Sequence, residues 1–321
     1  MSRSRAATAV KAPPPQPSAG SGQFVVINGQ RVALSNLNKV LYPDVGFTKA
    51  QVIEYYARIA PIILPHLKDR PLTLKRYPNG IAGEFFYEKT CPSHRPQWVN
   101  TGDVPSDVKG LIRYCLVNGA ATLVWVANLA SLELHTLLAR MPDIKRPTFM
   151  VFDHDPGPGA DMLDCIRVAL RFRQLLHDLG FQSFAKTSGG KGLHLYVPLN
   201  TPVTFDQTKT LSREFARIME RDDPKRITSN MRKSLRAGRV FVDWSQNDEH
   251  KTTVCAYSLR ARERPTVSMP VTWGELEHAA RRRRPESLVF EADAALKRAE
   301  SHGDLFAPVL RLRQKLPKLN F

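Results

Sequence analysis

Two hydrophobic periods take turns along this chain. The run QFVVINGQRVALS is β-rich on both sides of Asn28-Gly29, which predicts a hairpin. In FTKAQVIEYYARIAPIILPHL the apolar positions Val52, Tyr55, Tyr56 and Ile59 shift to helical spacing, and Thr48 with Gln51 forms a capping-box pattern. PLTLKRYPNG reads as a strand and a turn, GEFFYEK as a strand or exposed loop, GLIRYCLV as a strand, and ATLVWVANLASLELHTLLAR as a helix mixed with a strand. In the second half a strand through Phe149–Asp153 leads to a helix from about Asp161 to Leu179, stopped by Gly180. FQSFAKTS and GLHLYVPL read as two strands joined by a glycine turn. A helix through DQTKTLSREFARIME, a basic loop KRITSNMRKSLRAGR and a strand VFVDW follow. VTWGELEHAA begins another helix, with Thr272 and Glu275 as its capping box, and the chain from Arg281 is basic and partly helical. Hairpins interleaved with helices predict an α+β fold with mixed sheets, not a βαβ series.

Composition adds a partner class. The chain has 321 residues, 42% hydrophobic, enough for a large core. Residues 1–22, containing APPPQPSAGSG, read as a disordered tail, and residues 23–321 as one domain with a small N-terminal portion. No apolar run approaches the roughly 20 residues needed to span a membrane, and no secretory segment follows Met1. Net charge is +17 and the isoelectric point is near 10.0. That balance points first to nucleic acid and second to an anionic membrane surface, for which no basic amphipathic helix speaks. Cys91, Cys115, Cys165 and Cys255 are scattered, and CPSH offers Cys91 and His94 as ligands without a second pair. Reduced thiols and a cytoplasmic location are therefore expected.

Three short stretches carry the chemistry. In TFMVFDHDPGPGAD, Asp153 and Asp155 sit at positions i and i+2 of a strand and project from one face. At about 4 Å two such charges repel by roughly 4 kcal/mol at an effective dielectric of 20, a cost that a divalent cation offsets. A bare D-x-D is more often a cap beside a solvated carboxylate. VFVDWSQN adds Asp243 on another strand, among apolar neighbours that disfavour a free carboxylate. Three carboxylates on adjacent strands can hold two metals. KTSGGKGLHLYV supplies the opposite charge: Gly189, Gly190 and Gly192 admit close approach of an anion to backbone N–H groups, Ser188 offers a hydroxyl, Lys191 a point charge, and His194 follows where the strand begins. Alone, that loop is equally well a glycine-rich hairpin turn; beside D-x-D on a basic chain, a triphosphate site is the better reading.

In combination FDHDP, SGGKGLH and VDWSQN resemble the archaeo-eukaryotic primase-polymerase superfamily, and most of all the polymerase domain of bacterial ligase D and its stand-alone Prim-PolC-type relatives. LSNLNKVLYP, LKRYPNG, NLASLELH and KTTVCAYSLRAR extend the resemblance over roughly residues 24–310. It implies a primase-polymerase-like fold of mixed sheets flanked by helices. It implies that Asp153, Asp155 and Asp243 ligate two divalent cations, Mn²⁺ or Mg²⁺, and that Ser188, Gly189, Gly190, Lys191, His194 and Arg260, with Gln246, hold a nucleoside triphosphate. His135 would lie near the incoming sugar and primer end. Asn36, Lys39 and Lys49 match a pocket for the 5′-phosphate of a downstream DNA strand, and Lys49 stands at a predicted helix start, where anions are favoured. Phe85 and Phe86 match aromatics that stack on template bases; core packing is their other reading. Lys233, Arg236 and Arg239 match a mobile basic loop that touches DNA ends, and Lys75 and Arg76 match groove-lining residues.

The function this implies is template-dependent repair synthesis: nucleotides, with ribonucleotides expected to be preferred, joined to a 3′-hydroxyl in short gaps or at broken ends. Gapped or broken DNA and NTPs or dNTPs are the implied partners, with a separate ligase and Ku as candidates and no membrane. EKTCPSHRPQWV looks more like the stand-alone branch, and no ligase or phosphoesterase sequence is present. Two rivals stay open. A metal-dependent nuclease or phosphoesterase also uses three Asp but needs no triphosphate cradle. A non-catalytic DNA-end binder would bind gapped DNA and turn over nothing.

Overall fold

A computed structural model describes residues 23–108 and 110–317; the tail expected over 1–22 lies outside them. The chain opens with the hairpin β1 (Gln23–Ile27) and β2 (Gln30–Leu34). Its turn holds Asn28 at φ 49° and Gly29 at φ 78°, the left-handed pair that a two-residue hairpin connection requires. A small ribbon, β3 (Val40–Tyr42) and β4 (Phe47–Thr48), delivers the chain to α1 (Lys49–Leu67). Thr48 and Gln51 close the expected capping box, each side chain accepting from the other's backbone N–H. Then come β5 (Pro71–Arg76), β6 (Phe86–Glu88), β7 (Thr101–Ser106), β8 (Gly110–Leu116), α2 (Ala120–Asn128) and β9 (Ser131–Leu137). The second half contains β10 (Phe149–Pro156), α3 (Met162–Asp178), β11 (Phe184–Thr187), β12 (Leu193–Pro198), α4 (Phe205–Asp222), β13 (Ile227–Thr228) and β14 (Val240–Asp243). It ends with β15 (Thr252–Val254), β16 (Pro270–Val271), α5 (Trp273–Arg282), α6 (Ala292–His302) and α7 (Ala307–Arg311).

Two large sheets organise these elements. The first runs in the order β13-β14-β10-β12-β11-β16 and the second β15-β9-β5-β8-β7, with β6 added to β5. The α+β expectation holds. Pairing in the first sheet is antiparallel except between β13 and β14. Strand β10 is buried on both faces, and its side chains divide between two cores. Met150 and Phe152 join the core with α3, α4 and α5, where Phe152 meets Phe172 at 4.5 Å between ring centroids. Phe149 and Val151 point the other way, into the core shared with α1, α2 and the second sheet.

Tyr56 ties that second core together. Its buried hydroxyl donates to the Leu132 carbonyl oxygen at 2.7 Å and accepts from the Leu259 N–H at 3.1 Å. One side chain of α1 thus satisfies backbone groups at the start of β9 and in the segment after β15, where water cannot reach.

Two expectations need correction. Cys91 and Cys115 form a disulfide with Cα atoms 4.8 Å apart, so only Cys165 and Cys255 are free thiols, both buried. The Cys91 N–H donates to the Arg113 carbonyl oxygen at 2.7 Å, which draws the loop after β6 onto β8 and brings two cysteines 24 residues apart into bridging range. Nothing in their spacing announces this contact. The strands β3, β4, β13, β15 and β16 are two or three residues long, too short to show a period, and β7 is interrupted by Gly102 and Pro105; neighbouring backbone, not their own pattern, pairs them. Among the described residues no helix is long and apolar enough to cross a membrane.

Replacing Tyr56 by Phe keeps the ring but strands the Leu259 N–H. A loss of about 1–3 kcal/mol in unfolding free energy is expected, read as a lower denaturant midpoint at unchanged slope.

Candidate active site

One face of β10 reads Phe149, Val151, Asp153, Asp155. The apolar pair closes the core between the sheets, and the acidic pair continues the same face beyond it. His154 faces the helices, edge-on to Phe172 at 5.6 Å, and burial lowers its imidazole to about 4. Asp243 on β14 is the register partner of Asp153, which puts a third carboxylate on the same face. Ser245 donates to Asp243 Oδ1 from its N–H at 2.8 Å and its hydroxyl at 2.6 Å, and Gln246 Nε2 donates to Oδ2 at 3.1 Å. Burial, reinforced by Asp155 and Asp243, pushes the Asp153 carboxyl well above its ordinary 3.8. Burial and then Asp243 push Asp155 up as well.

The same transverse row continues across the sheet. His194 on β12 is the register partner of Asp153, and Lys186 on β11 is the partner of His194. His194 Nε2 stands 3.3 Å from Asp153 Oδ1, without the alignment of a hydrogen bond, so that buried oxygen makes none. The turn between β11 and β12 is the glycine loop. Ser188 Oγ accepts from the Gly190 and Gly192 N–H groups, both at 3.2 Å, and folds the loop back on itself. At Gly192 a methyl group would strike the His154 carbonyl oxygen and come within 3.4 Å of Asp155 Oδ1, so glycine is what lets this loop abut the carboxylates. Lys191 is exposed at the loop's edge. With Gly189, Gly190, Arg262 and Thr266 it lines a cavity of about 350 Å³.

The second sheet closes the cleft through a residue that the sequence reading missed. Glu133 on β9 is buried, yet it gathers His135 Nε2 at 2.9 Å, Lys75 Nζ at 3.4 Å, Arg260 Nε at 3.2 Å and the Ala261 N–H at 3.1 Å. Burial opposes its ionisation, but the His135 hydrogen bond and the charges of Arg260 and Lys75 outweigh burial and hold the carboxyl well below the usual range. Arg260 also donates from Nη1 to the Ser188 carbonyl oxygen, joining this cluster to the glycine loop. Lys186 is the other missed residue; it is wholly buried, and burial with the nearby Arg260 lowers its amine to about 7. Both lay inside quoted motifs, LELH and AKTS; a charged residue alternating inward along an otherwise apolar strand was the available signal.

The remaining candidates flank this cleft. Phe85 and Phe86 are 50% and 44% exposed, so they are not core residues. Lys75 Nζ lies 4.5 Å from the Phe85 ring centroid, and the Arg76 guanidinium 5.2 Å from that of Phe86. Lys39 and Lys49 come together where the turn starting at Asn36 meets α1: the Lys39 N–H donates to the Asn36 carbonyl at 3.0 Å, and the Lys49 N–H to the Lys39 carbonyl at 2.8 Å. Burial, then the charges of Lys39 and Arg76, lower the Lys49 amine to about 8, as expected where cations crowd without an acid. Lys233 opens a short 3₁₀ turn, and Arg236 covers the Phe241 ring at 3.6 Å. Hydrogen bonds from the Gly157 N–H to the Arg239 carbonyl and from the Gly238 N–H to the Pro158 carbonyl fasten this basic loop to the turn after D-x-D.

Among the described residues no three or more His, Cys, Asp or Glu side chains are closed into a chelating cage. The donor chemistry nevertheless fits a divalent cation: three carboxylates on one sheet face, two of them held up in pKa by burial and mutual repulsion, and a buried carboxylate oxygen with no hydrogen bond.

Carboxylates, an anion loop and basic residues converging from two sheets make a nucleotidyltransferase cleft. Comparison with known proteins agrees. The family described as LigD, primase-polymerase domain, matches residues 48–306. The "Multifunctional non-homologous end joining protein LigD" of Mycolicibacterium smegmatis is 44% identical over 282 residues, 87% of this chain and 36% of that protein. The LigD of Pseudomonas aeruginosa is 34% identical over 249 residues, 77% of this chain and 29% of its own length. Thus the chain spans about a third of these relatives. The polymerase domain of Mycobacterium tuberculosis ligase D, solved in complex with DNA, superposes with a TM-score of 0.82 at 41% identity, covering 89% of this chain and all of that domain. This chain belongs to the LigD primase-polymerase domain family, a family of nucleotidyltransferases.

Two outcomes follow for the carboxylates. Where folding raises an Asp pKa, the folded state binds more protons than the unfolded one, so stability falls as pH rises from 3.8. In chelator-treated protein Asp153→Asn is expected to raise the melting temperature near neutral pH and flatten that fall, measured by thermal denaturation across pH. Glu133→Gln should cost about 3–5 kcal/mol in a denaturant titration, because it leaves Arg260 and Lys75 near a buried site without their counter-charge.

Proposed function

We propose that this protein is a template-directed repair polymerase that extends a 3′-hydroxyl across short DNA gaps or at broken ends. The observation that carries the reading is the transverse row Asp243, Asp153, His194 and Lys186, with the glycine loop abutting Asp155. Asp153, Asp155 and Asp243 would hold divalent cations, Mn²⁺ or Mg²⁺, whose chemistry is to activate the 3′-hydroxyl and stabilise the departing pyrophosphate. The protein's own part is to place the reactants. Ser188, Gly189, Gly190, Lys191 and His194 receive the triphosphate, and Arg260 braces their loop from the second sheet. Gln246, which donates to Asp243 Oδ2, assists them at the nucleotide from beside the carboxylates. His135, anchored on Glu133 beside Tyr87, faces the sugar of the incoming nucleotide.

Outside this centre, Phe85 and Phe86 offer exposed rings to template bases, with Lys75 and Arg76 behind them, and stacking of that kind tolerates any base. Asn36, Lys39 and Lys49 form the seat for a downstream 5′-phosphate, supported by the crowding of cations at the start of α1. Lys233 and Arg236 lie on the basic loop fastened to the turn after Asp155 and contact the DNA end. Ribonucleotides are the preferred monomers, and a ligase acts after gap filling, with Ku as a partner at broken ends. The rival nuclease reading gives no role to the glycine loop that abuts Asp155.

The deciding experiment is extension on gapped DNA with a 5′-phosphate, all nucleotides of both sugars and either cation. Extension should require nucleotide and template; shortening of the strands without nucleotide would overturn the polymerase reading. Asp153→Ala or Asp155→Ala is expected to abolish extension while DNA binding stays measurable, and wild-type-like incorporation by either would refute the ligand assignment. Lys39→Ala should erase the preference for a phosphorylated over a hydroxyl downstream end, measured by competition between the two gaps.

A further inference from the structure

Lys186 has no carboxylate within ion-pairing distance among the described residues, although it is completely buried. A bare buried cation is costly, so its contacts ask for a reason. Its Nζ lies 2.6 Å from Ser268 Oγ and 3.2 Å from His194 Nδ1, and stands over the Tyr196 ring at 5.6 Å. Counting protons fixes the direction of the first of these bonds. Ser268 Oγ has one hydrogen and donates it to the Thr187 carbonyl oxygen at 3.0 Å, so it accepts from Lys186. As an ammonium, Lys186 keeps N–H groups for His194 Nδ1, 3.2 Å away, and has no lone pair with which to accept. A ring nitrogen that accepts carries no proton. With Nδ1 accepting, the ring's proton sits on Nε2.

We propose that Lys186 is a positioning residue of the nucleotide site: it hydrogen-bonds Nδ1 of His194 and so fixes the proton on Nε2, the nitrogen that faces Asp153 and the polyphosphate. The inference rests on the nucleotidyl-transfer reading. Its logic is electrostatic. The other tautomer would aim a lone pair at a region crowded with carboxylates and phosphate oxygens, whereas Nε2–H offers them a donor without adding a titrating charge. Thr253 Oγ1, 3.4 Å from the same Nδ1, limits rotation of the ring. The arrangement repeats at a nucleotide site the device by which metal-bound histidines are oriented from behind.

The test uses Lys186→Met, which fills the same space and cannot donate, and Lys186→Gln, which restores an N–H. If Lys186 served only to support the fold, Met would destabilise the protein. If it orients His194, Met leaves the denaturant midpoint unchanged or higher, because a bare buried charge has been removed. Nucleotide KM should then rise roughly tenfold, the scale of one lost hydrogen bond to a charged group, with kcat less affected and with partial recovery in Lys186→Gln. Imidazole ¹⁵N NMR of the metal-free full chain should show His194 protonated on Nε2 in the wild type and losing that preference in Lys186→Met. A wild-type ring protonated on Nδ1 overturns the proposal, as does a Met variant that keeps both the Nε2–H form and the wild-type KM. If the Met variant fails to fold, the wild-type spectrum together with the KM of Lys186→Gln decides. A wild type with Nε2–H that extends no gap would sink the polymerase reading and leave the tautomer assignment standing.

Discussion

The cleft depends on one bridge between two sheets. Arg260 reaches Glu133 on the second sheet and the Ser188 carbonyl of the glycine loop on the first. Above the core that Phe149 and Val151 share with the second sheet, it ties the anion loop directly to the cluster of Glu133, His135 and Lys75. The bridge is half-buried and works from two nitrogens, Nη1 toward the Ser188 carbonyl and Nε toward Glu133, a fork that suits a guanidinium better than an ammonium. Its acid end is over-determined: a buried carboxylate surrounded by Arg, Lys and His stays charged because each neighbour offsets part of the desolvation cost.

Charge is distributed around that bridge with opposite signs of imbalance. On the first sheet three carboxylates share a face and two resist ionisation. At the start of α1 the excess is cationic, and Lys49 resists protonation. Each site is unfavourable by itself and becomes favourable when a ligand of the opposite sign arrives. Binding energy is thus stored in the folded protein as unmet electrostatic demand, and the hydrophobic cores beneath hold the demand in place.

Much of this was legible in the residues. The change along β10 from Val151 to Asp153 and Asp155 is visible as a strand whose apolar face turns acidic, and the pleat does the rest. Asp243 was readable for the same reason, and the glycines of SGGKG because only backbone that must approach something closely omits Cβ three times. Glu133 and Lys186 were not singled out, since each takes its importance from what stands opposite it in the fold: Glu133 from Arg260, far along the chain, and Lys186 from His194, its register partner across β11 and β12. Nor does any spacing rule pair Cys91 with Cys115, whose encounter is set by how the loop after β6 crosses β8. The edge strands β13, β15 and β16 escaped because two or three residues hold no period, and β7 because Gly102 and Pro105 break its pattern.

The two-residue repeat of β10 makes the site a matter of parity. Asp153 and Asp155 both descend from a single choice of which side chains look toward the second sheet, made at Phe149 and Val151 by packing. Inserting one residue between Val151 and Asp153 would turn both acids toward α3 and send His154 into the cleft, while two would restore them farther along. Sequence drift in this strand is therefore free in chemistry at several positions but quantised in length.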